Sequence, residues 1–139
     1  MRQIELIRSG WLVCSLGLIT LGCSGGGEPM GHVSGKVTFG GVPVTEGSIS
    51  FLSKGRSGAG TLAVDGSFKI IGENGGIPPG DYKIVIVPPT VELPSDGTSS
   101  PVMAPKEMPN IPEKYRLEET TDLKATVKEG ANDIPVTLK

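Results

Sequence analysis

The chain is poor in cysteine, tryptophan and histidine. Cys14, Cys23 and Trp11 all lie at or before position 23, and His32 is the sole imidazole. Beyond Cys23 there is no thiol, which excludes an internal disulfide, a thiol nucleophile and a cysteine zinc site. One imidazole without cysteine cannot build a His-rich zinc site either. An oxidising compartment permits disulfides without demanding them, and a domain of this size can hold itself by burying apolar surface. Aromatic residues make up 4% of the chain, so the core must come from Val, Ile and Leu with Phe39, Phe51, Phe68, Tyr82 and Tyr115. Setting aside Arg2, Glu5 and Arg8, eleven basic residues face fourteen acidic ones, a formal charge of −3. There is no basic patch to draw nucleic acid. Acidic pairs such as Glu118-Glu119 are too scattered to form a polyanionic tail. No segment carries a convincing helical period, although Pro112–Arg116 could form a single turn with proline at its first position.

What is present begins with an export leader over residues 1–23. Arg2 and Arg8 supply a positive start, and Trp11–Leu21 is mostly apolar and uncharged, too short to span a bilayer, and followed by a small residue. Residues 24–31, opening Ser24-Gly25-Gly26-Gly27, form a flexible tether with a coil reach of roughly 15 Å. The ending Thr20-Leu21-Gly22-Cys23 resembles the lipobox of bacterial lipoproteins, with Thr20 departing from the usual apolar residue. In that family the cysteine becomes the new N-terminus and carries diacylglycerol on its sulfur. The resemblance implies lipidation at Cys23, a membrane held through a lipid anchor, and residence in the cell envelope. Two or more acyl chains are what make such anchoring stable. Ser24, where an Asp would suggest retention at an inner membrane, does not imply it. An ordinary signal peptide cut elsewhere, or an uncleaved anchor, is the alternative.

From His32 onward the hydrophobic period is two, the mark of half-buried strands. His32–Phe39 sets Val33, Val37 and Phe39 against Ser34, Lys36 and Thr38, and Gly40-Gly41 ends the run. Gly47–Ser53 points Ile49 and Phe51 inward. Gly60–Val64 and Ser67–Ile71 flank Asp65-Gly66, the strongest hairpin signal in the chain. Asp81–Val87 is apolar on both faces, which predicts a central strand, and Pro88-Pro89 ends it. Leu123–Lys128 and Asp133–Leu138 close the chain, with Pro135 predicting an edge position or an outward-facing amide and Gly35 a bulge or close packing. About seven short strands separated by glycine turns predict one all-β domain over 32–139, a seven-stranded Greek-key β-sandwich.

Residues 88–121 interrupt this pattern. Seven prolines between Pro88 and Pro112, together with Ser95-Asp96-Gly97-Thr98-Ser99-Ser100, predict a long connection without regular structure. One reading is a solvated, polyproline-like loop dispensable to activity. The other is a recognition surface in which Val102, Met103, Met108, Ile111 and Tyr115 meet a partner, since loops on rigid scaffolds often carry function.

The run Val33-Ser34-Gly35-Lys36-Val37-Thr38-Phe39, then Gly41-Val42-Pro43-Val44, Gly47-Ser48-Ile49-Ser50-Phe51, Asp65-Gly66-Ser67-Phe68 and Pro79-Gly80-Asp81-Tyr82, resembles carboxypeptidase regulatory-like domains. The closing Ile111–Arg116 and Leu123–Lys139 are similar to small planctomycete-type lipoproteins of that group. The resemblance spans about residues 32–139 and implies a transthyretin-like, prealbumin-like sandwich. It implies no peptidase activity and no cofactor, because such domains stand beside a catalytic domain or alone and carry no catalytic residues. The hydroxyisourate hydrolases share the fold but use several His and Arg residues and a C-terminal Tyr-Arg-Gly-Ser. This chain ends Pro135-Val136-Thr137-Leu138-Lys139, and its Tyr115-Arg116 runs into Leu117-Glu118, so that match fails.

Other chemistry is weak. His32 reads as a strand-edge residue, and no nucleophile-elbow pattern supports a Ser-His-Asp site. Glu118, Glu119 and Asp122 have no calcium-loop spacing and read as a solvated acidic turn. Gly72-Glu73-Asn74-Gly75-Gly76 lacks the Lys-Ser/Thr and helix of a phosphate-cradling loop. The expectation is a membrane-tethered, non-enzymatic binding or scaffolding module whose partner is an envelope protein or a glycan. A glycan is disfavoured because no Trp remains beyond the leader to stack on a sugar. A cryptic hydrolase and a purely structural envelope element are the rivals.

Overall fold

A computed structural model describes residues 27–139; the leader, Cys23 and Ser24–Gly26 of the tether lie outside the described residues. The elements are β1 (Gly31–Phe39), β2 (Val42–Pro43), β3 (Ser48–Ser53), β4 (Arg56–Thr61), β5 (Ser67–Lys69), β6 (Gly80–Val87), β7 (Thr90–Glu92), β8 (Met103–Pro105), a 3-10 turn (Glu113–Tyr115), β9 (Lys124–Val127), β10 (Gly130–Asp133) and β11 (Val136–Leu138). The described chain is all-β. β1, β3, β5, β6, β9 and β11 fall on runs expected from the sequence and β4 is displaced from its run, whereas β2, β7, β8 and β10 are additional, β10 lying mostly over residues expected to form a turn.

β1 is the spine of one sheet. Ser34 pairs with Asp133 of β10 on one side and Lys69 of β5 on the other, while Phe39 pairs with Leu138 of β11 and Val42 of β2. β10 and β11 both run parallel to β1 in one unbroken register, Gly31 opposite Gly130 and Phe39 opposite Leu138. They are therefore one edge strand interrupted at Ile134-Pro135. Proline cannot donate to a ladder, so the interruption falls at an edge, as the sequence predicts.

The second sheet is antiparallel in the order β4-β3-β6-β9, which makes β6 central, as its two apolar faces predict. Its inward side chains alternate: Ile49 and Phe51 on β3, then Tyr82, Ile84 and Ile86 on β6, all buried. They meet Val33 and Val37 of β1 and Phe68 of β5 in a single core. Phe51 of one sheet lies 6.2 Å from Phe68 of the other and 6.3 Å from Tyr82, both tilted, a favoured aromatic geometry. Tyr82 donates its hydroxyl to Pro78 O at 2.6 Å, satisfying the polar end of a buried ring. This is the packing of a β-sandwich.

β4 lies several residues earlier than the sequence pattern suggests. Arg56–Thr61 has no apolar alternation because small residues are required there. A Cβ on Gly58 would press on Ile70 and Ile77, and one on Gly60 would overlap Lys69 O.

The Asp65-Gly66 turn is present. Ala63 N–H donates to Ser67 O, Gly66 N–H donates to Ala63 O, and Gly66 has φ +80°, a three-residue loop closed by a left-handed glycine. Asp65 Oδ1 accepts from both the amide (3.0 Å) and the hydroxyl (2.6 Å) of Ser67. These bonds hold the Asp65 carboxyl below its ordinary value of 3.8. A depressed folded-state value contributes stability that is present above 3.8 and lost as pH falls through the depressed value. Asp65→Asn keeps the acceptor and removes the titration. Its urea midpoint should therefore fall less on acidification than that of the native chain, and parallel curves would discount the turn.

Candidate functional site

The segment 88–121 divides into two parts with opposite fates. In the first, Val87 leads through Pro88-Pro89 into an antiparallel hairpin, with Thr90 opposite Pro105, Val91 opposite Ala104 and Glu92 opposite Met103. Leu93 N–H donates to Val102 O and extends the ladder by one pair. The tip is held by a second Asp-Gly turn: Asp96 Oδ1 accepts from the amide (3.1 Å) and hydroxyl (2.7 Å) of Thr98, with Gly97 at φ +79°. These bonds depress the Asp96 carboxyl as they do that of Asp65. The expected connection without regular structure is thus replaced here by a ribbon.

Strand alternation puts Val91, Leu93, Val102 and Ala104 on one face of the ribbon. Val91 is 38% exposed, Leu93 42% and Val102 56%, and Met103 on the other face is 57% exposed. Neither β7 nor β8 pairs with any other strand among the described residues. Isolated two-stranded ribbons are marginal in water. This one is secured at its base, where Lys106 N–H donates to Pro89 O and Lys106 Nζ meets Glu46 Oε2 at 2.6 Å.

The second part is core. Met108 is 8% exposed, Tyr115 2% and Ile111 fully buried, all members of the same core cluster as Phe51. This corrects the sequence expectation for three residues: Met108, Ile111 and Tyr115 close one end of the sandwich and are not available to a partner. The physical reason is that β1, β3 and β6 leave that end of the core open. Met108, Ile111 and Tyr115 supply the missing apolar volume. Arg116 locks the plug, donating from Nε to Ile111 O at 2.9 Å and from Nη2 to Ile111 O at 2.7 Å and Met108 O at 3.2 Å. Tyr115 Oη accepts from Lys139 N at 3.1 Å and donates to Lys139 O at 3.3 Å.

The two ends of the sandwich are distinct. Gly31 exchanges backbone hydrogen bonds with Ile77, and Gly130 N–H donates to Met30 O, so the chain enters β1 beside the start of β6. Val44 N–H donates to Val37 O, and Ser48 pairs with Val87, so the hairpin leaves from the other end of β1. Nine strand residues separate the two, roughly 25–30 Å. A cleft of about 790 Å³, lined by Glu28, Met30, Arg56 and Ile71 among others, lies near the point of entry. A second, of about 640 Å³, opens on the outer face of the β4-β3-β6-β9 sheet.

His32 is exposed on β1, opposite Ala131. Asp122 sits 3.9 Å from Lys114, and Glu118 offers its backbone carbonyl to Lys83 at 3.2 Å. Among the described residues no three His, Cys, Asp or Glu side chains converge, and no helix is long and apolar enough to cross a membrane. Comparison with family models, with curated proteins and with solved structures finds no match for this chain.

Proposed function

We propose that the chain is a membrane-tethered envelope lipoprotein, anchored through lipid at Cys23, which binds or scaffolds an envelope protein without catalysing a reaction. The observation that carries this reading is polarity. The exposed apolar ribbon, with Val91, Leu93 and Val102 on one face, leaves from the end of β1 opposite the tether. Protein surfaces seldom expose contiguous apolar patches without a use for them. An anchor at one end and a ribbon at the other places the ribbon away from the anchoring membrane. Of the five residues first expected to meet a partner, Val102 belongs to that face, Met103 is exposed on the other face of the ribbon, and Met108, Ile111 and Tyr115 are buried. The finer fold reading, a Greek-key sandwich of the carboxypeptidase regulatory-like, transthyretin-like kind, rests on the glycine turns and strand runs of residues 32–139.

Two measurements in cells test the proposal. Cys23→Ala should move the protein from the membrane fraction to the soluble fraction; retention would reject the lipid anchor. A photo-crosslinking residue at position 102 should trap a discrete envelope protein, and Leu93→Asp should abolish the adduct while leaving the melting temperature unchanged. Absence of any adduct at 102, or one indifferent to Leu93→Asp, would reject the ribbon as the contact.

A further inference from the structure

On the outer face of the second sheet one transverse row reads Ser57, Leu52, Lys83, Lys124 across β4, β3, β6 and β9. Ile84 N–H donates to Leu123 O, so Ile84 and Leu123 occupy a hydrogen-bonding position of the ladder. Lys83 and Lys124 therefore stand at the adjacent non-hydrogen-bonding position, where opposite side chains come closest. Like charges placed directly opposite destabilise a sheet. Yet the described ion pairs use Lys36, Lys106 and Lys114, and no described carboxylate lies within 4.0 Å of Lys83, Lys124 or Lys54. Lys83 Nζ has one backbone carbonyl, Glu118 O at 3.2 Å. Asp81 and Glu118 also line the cleft, but neither carboxylate is paired with these lysines, and Asp81 already accepts from Thr126 Oγ1 at 2.7 Å.

Lysines on an edge strand commonly discourage edge-to-edge pairing. That accounts for Lys124 on β9 but not for Lys83, which lies half-buried on the central strand. Lys54, Lys83 and Lys124 instead line the cleft of about 640 Å³, with Leu52 as its apolar floor.

We infer that this cleft binds a phosphate monoester, its oxyanion head between Lys83 and Lys124 and its organic portion against Leu52. Such a head carries close to two negative charges at neutral pH and accepts several charge-assisted hydrogen bonds. It matches two unneutralised ammonium groups better than a single carboxylate does. Its source is either a soluble ester or a lipid whose headgroup is itself a phosphate monoester, and the inference stands whether or not Cys23 is lipidated.

The test uses the purified full chain at low salt. Calorimetric titration with butyl phosphate should show binding tighter than that of inorganic phosphate and weakened by added salt. Flotation with vesicles of phosphatidylcholine containing phosphatidic acid, whose head is a phosphate monoester, against phosphatidylcholine alone, forms a second arm. Lys83→Met/Lys124→Met should weaken whichever arm is positive by about tenfold or more, the scale of one lost charge-assisted contact. Lys69→Met, on the other sheet, should change neither. Lys124→Glu supplies an ion-pair partner for Lys83; it should raise the melting temperature and abolish binding, which separates loss of the site from loss of fold. Lysine-dependent binding in the first arm alone identifies a soluble ester, and in the second a headgroup. No binding in either arm, or binding indifferent to both variants, overturns the inference.

Discussion

Tyr115→Ala is expected to destabilise the protein by about 3–5 kcal/mol, the range for truncating a large buried aromatic side chain, whereas deleting Ser95–Ser100 in the same segment should leave the melting temperature almost unchanged. Tyr115 is 2% exposed and belongs to the same cluster as Phe51 and Ile49. Its ring fills the end of the sandwich, and its hydroxyl bonds both the amide and the carbonyl of Lys139. Alanine removes both contributions and leaves a cavity that β11 cannot collapse to fill, because its register is fixed by β1. Tyr115→Phe keeps the ring and loses only the hydroxyl, for about 1 kcal/mol. The deleted tip, by contrast, is exposed throughout and bonds only within its own turn. Urea unfolding of the three variants checks the series. A Tyr115→Ala chain as stable as the native one would mean that residues 106–121 are not part of the core.

That contrast shows what was legible in the sequence. Period-two runs located β1, β3 and β9 to within a residue or two, because each has one face in the core and therefore alternates, and β6 was equally legible as an apolar run bounded by Pro79-Gly80 and Pro88-Pro89. Segment 88–121 failed the same test for two different reasons. Its hairpin alternates only over Thr90–Leu93, a run too short to stand out among the flanking prolines, and Val102-Met103 on the return strand breaks the period. Its plug buries isolated residues, Met108, Ile111 and Tyr115, from irregular backbone, and irregular backbone has no period. One signal was available. Asp96-Gly97-Thr98 repeats the chemistry of Asp65-Gly66-Ser67, and both make the same pair of bonds to the aspartate. Proline density around the second copy masked it.

The cleft was illegible for another reason. Lys83 and Lys124 each sit unremarkably in an alternating strand, and only the pairing register brings them side by side. Register between strands 41 positions apart is a property of the sheet, not of either segment. The hairpin and the lysine row also belong to different parts of the sandwich. The ribbon leaves from the end where Ser48 meets Val87, while Lys83 lies toward the end where β6 begins. A partner on one should therefore not compete with a ligand on the other.

Gly35→Ala should be among the most damaging single substitutions in the domain, at about 3 kcal/mol or more, despite adding one methyl group. Gly35 lies mid-way along β1, where β10 gives way to β11 across the Ile134-Pro135 interruption. A Cβ there would overlap Ile134 O on one side and approach the Phe68 ring at 3.0 Å on the other. The first obstacle is backbone, so no rotamer change relieves it. Ile134 would have to move outward, breaking the bond its N–H donates to Ser34 O at 2.8 Å and pulling on the parallel register of both C-terminal segments. Those segments carry Val136 and Leu138, which are core residues, and Lys139, which holds Tyr115. The strain should thus travel from the middle of β1 to the plugged end. Gly75→Ala is the control: its φ of +84° also disfavours alanine, but nothing lies within 4 Å of the added carbon. It should cost about 1–2 kcal/mol, the local backbone penalty alone. Hydrogen exchange distinguishes the two mechanisms. Gly35→Ala should deprotect amides from Ile134 to Lys139, whereas Gly75→Ala should leave them protected. Equal losses in the two variants would mean that the close approach at Gly35 is not what holds the C-terminal strand.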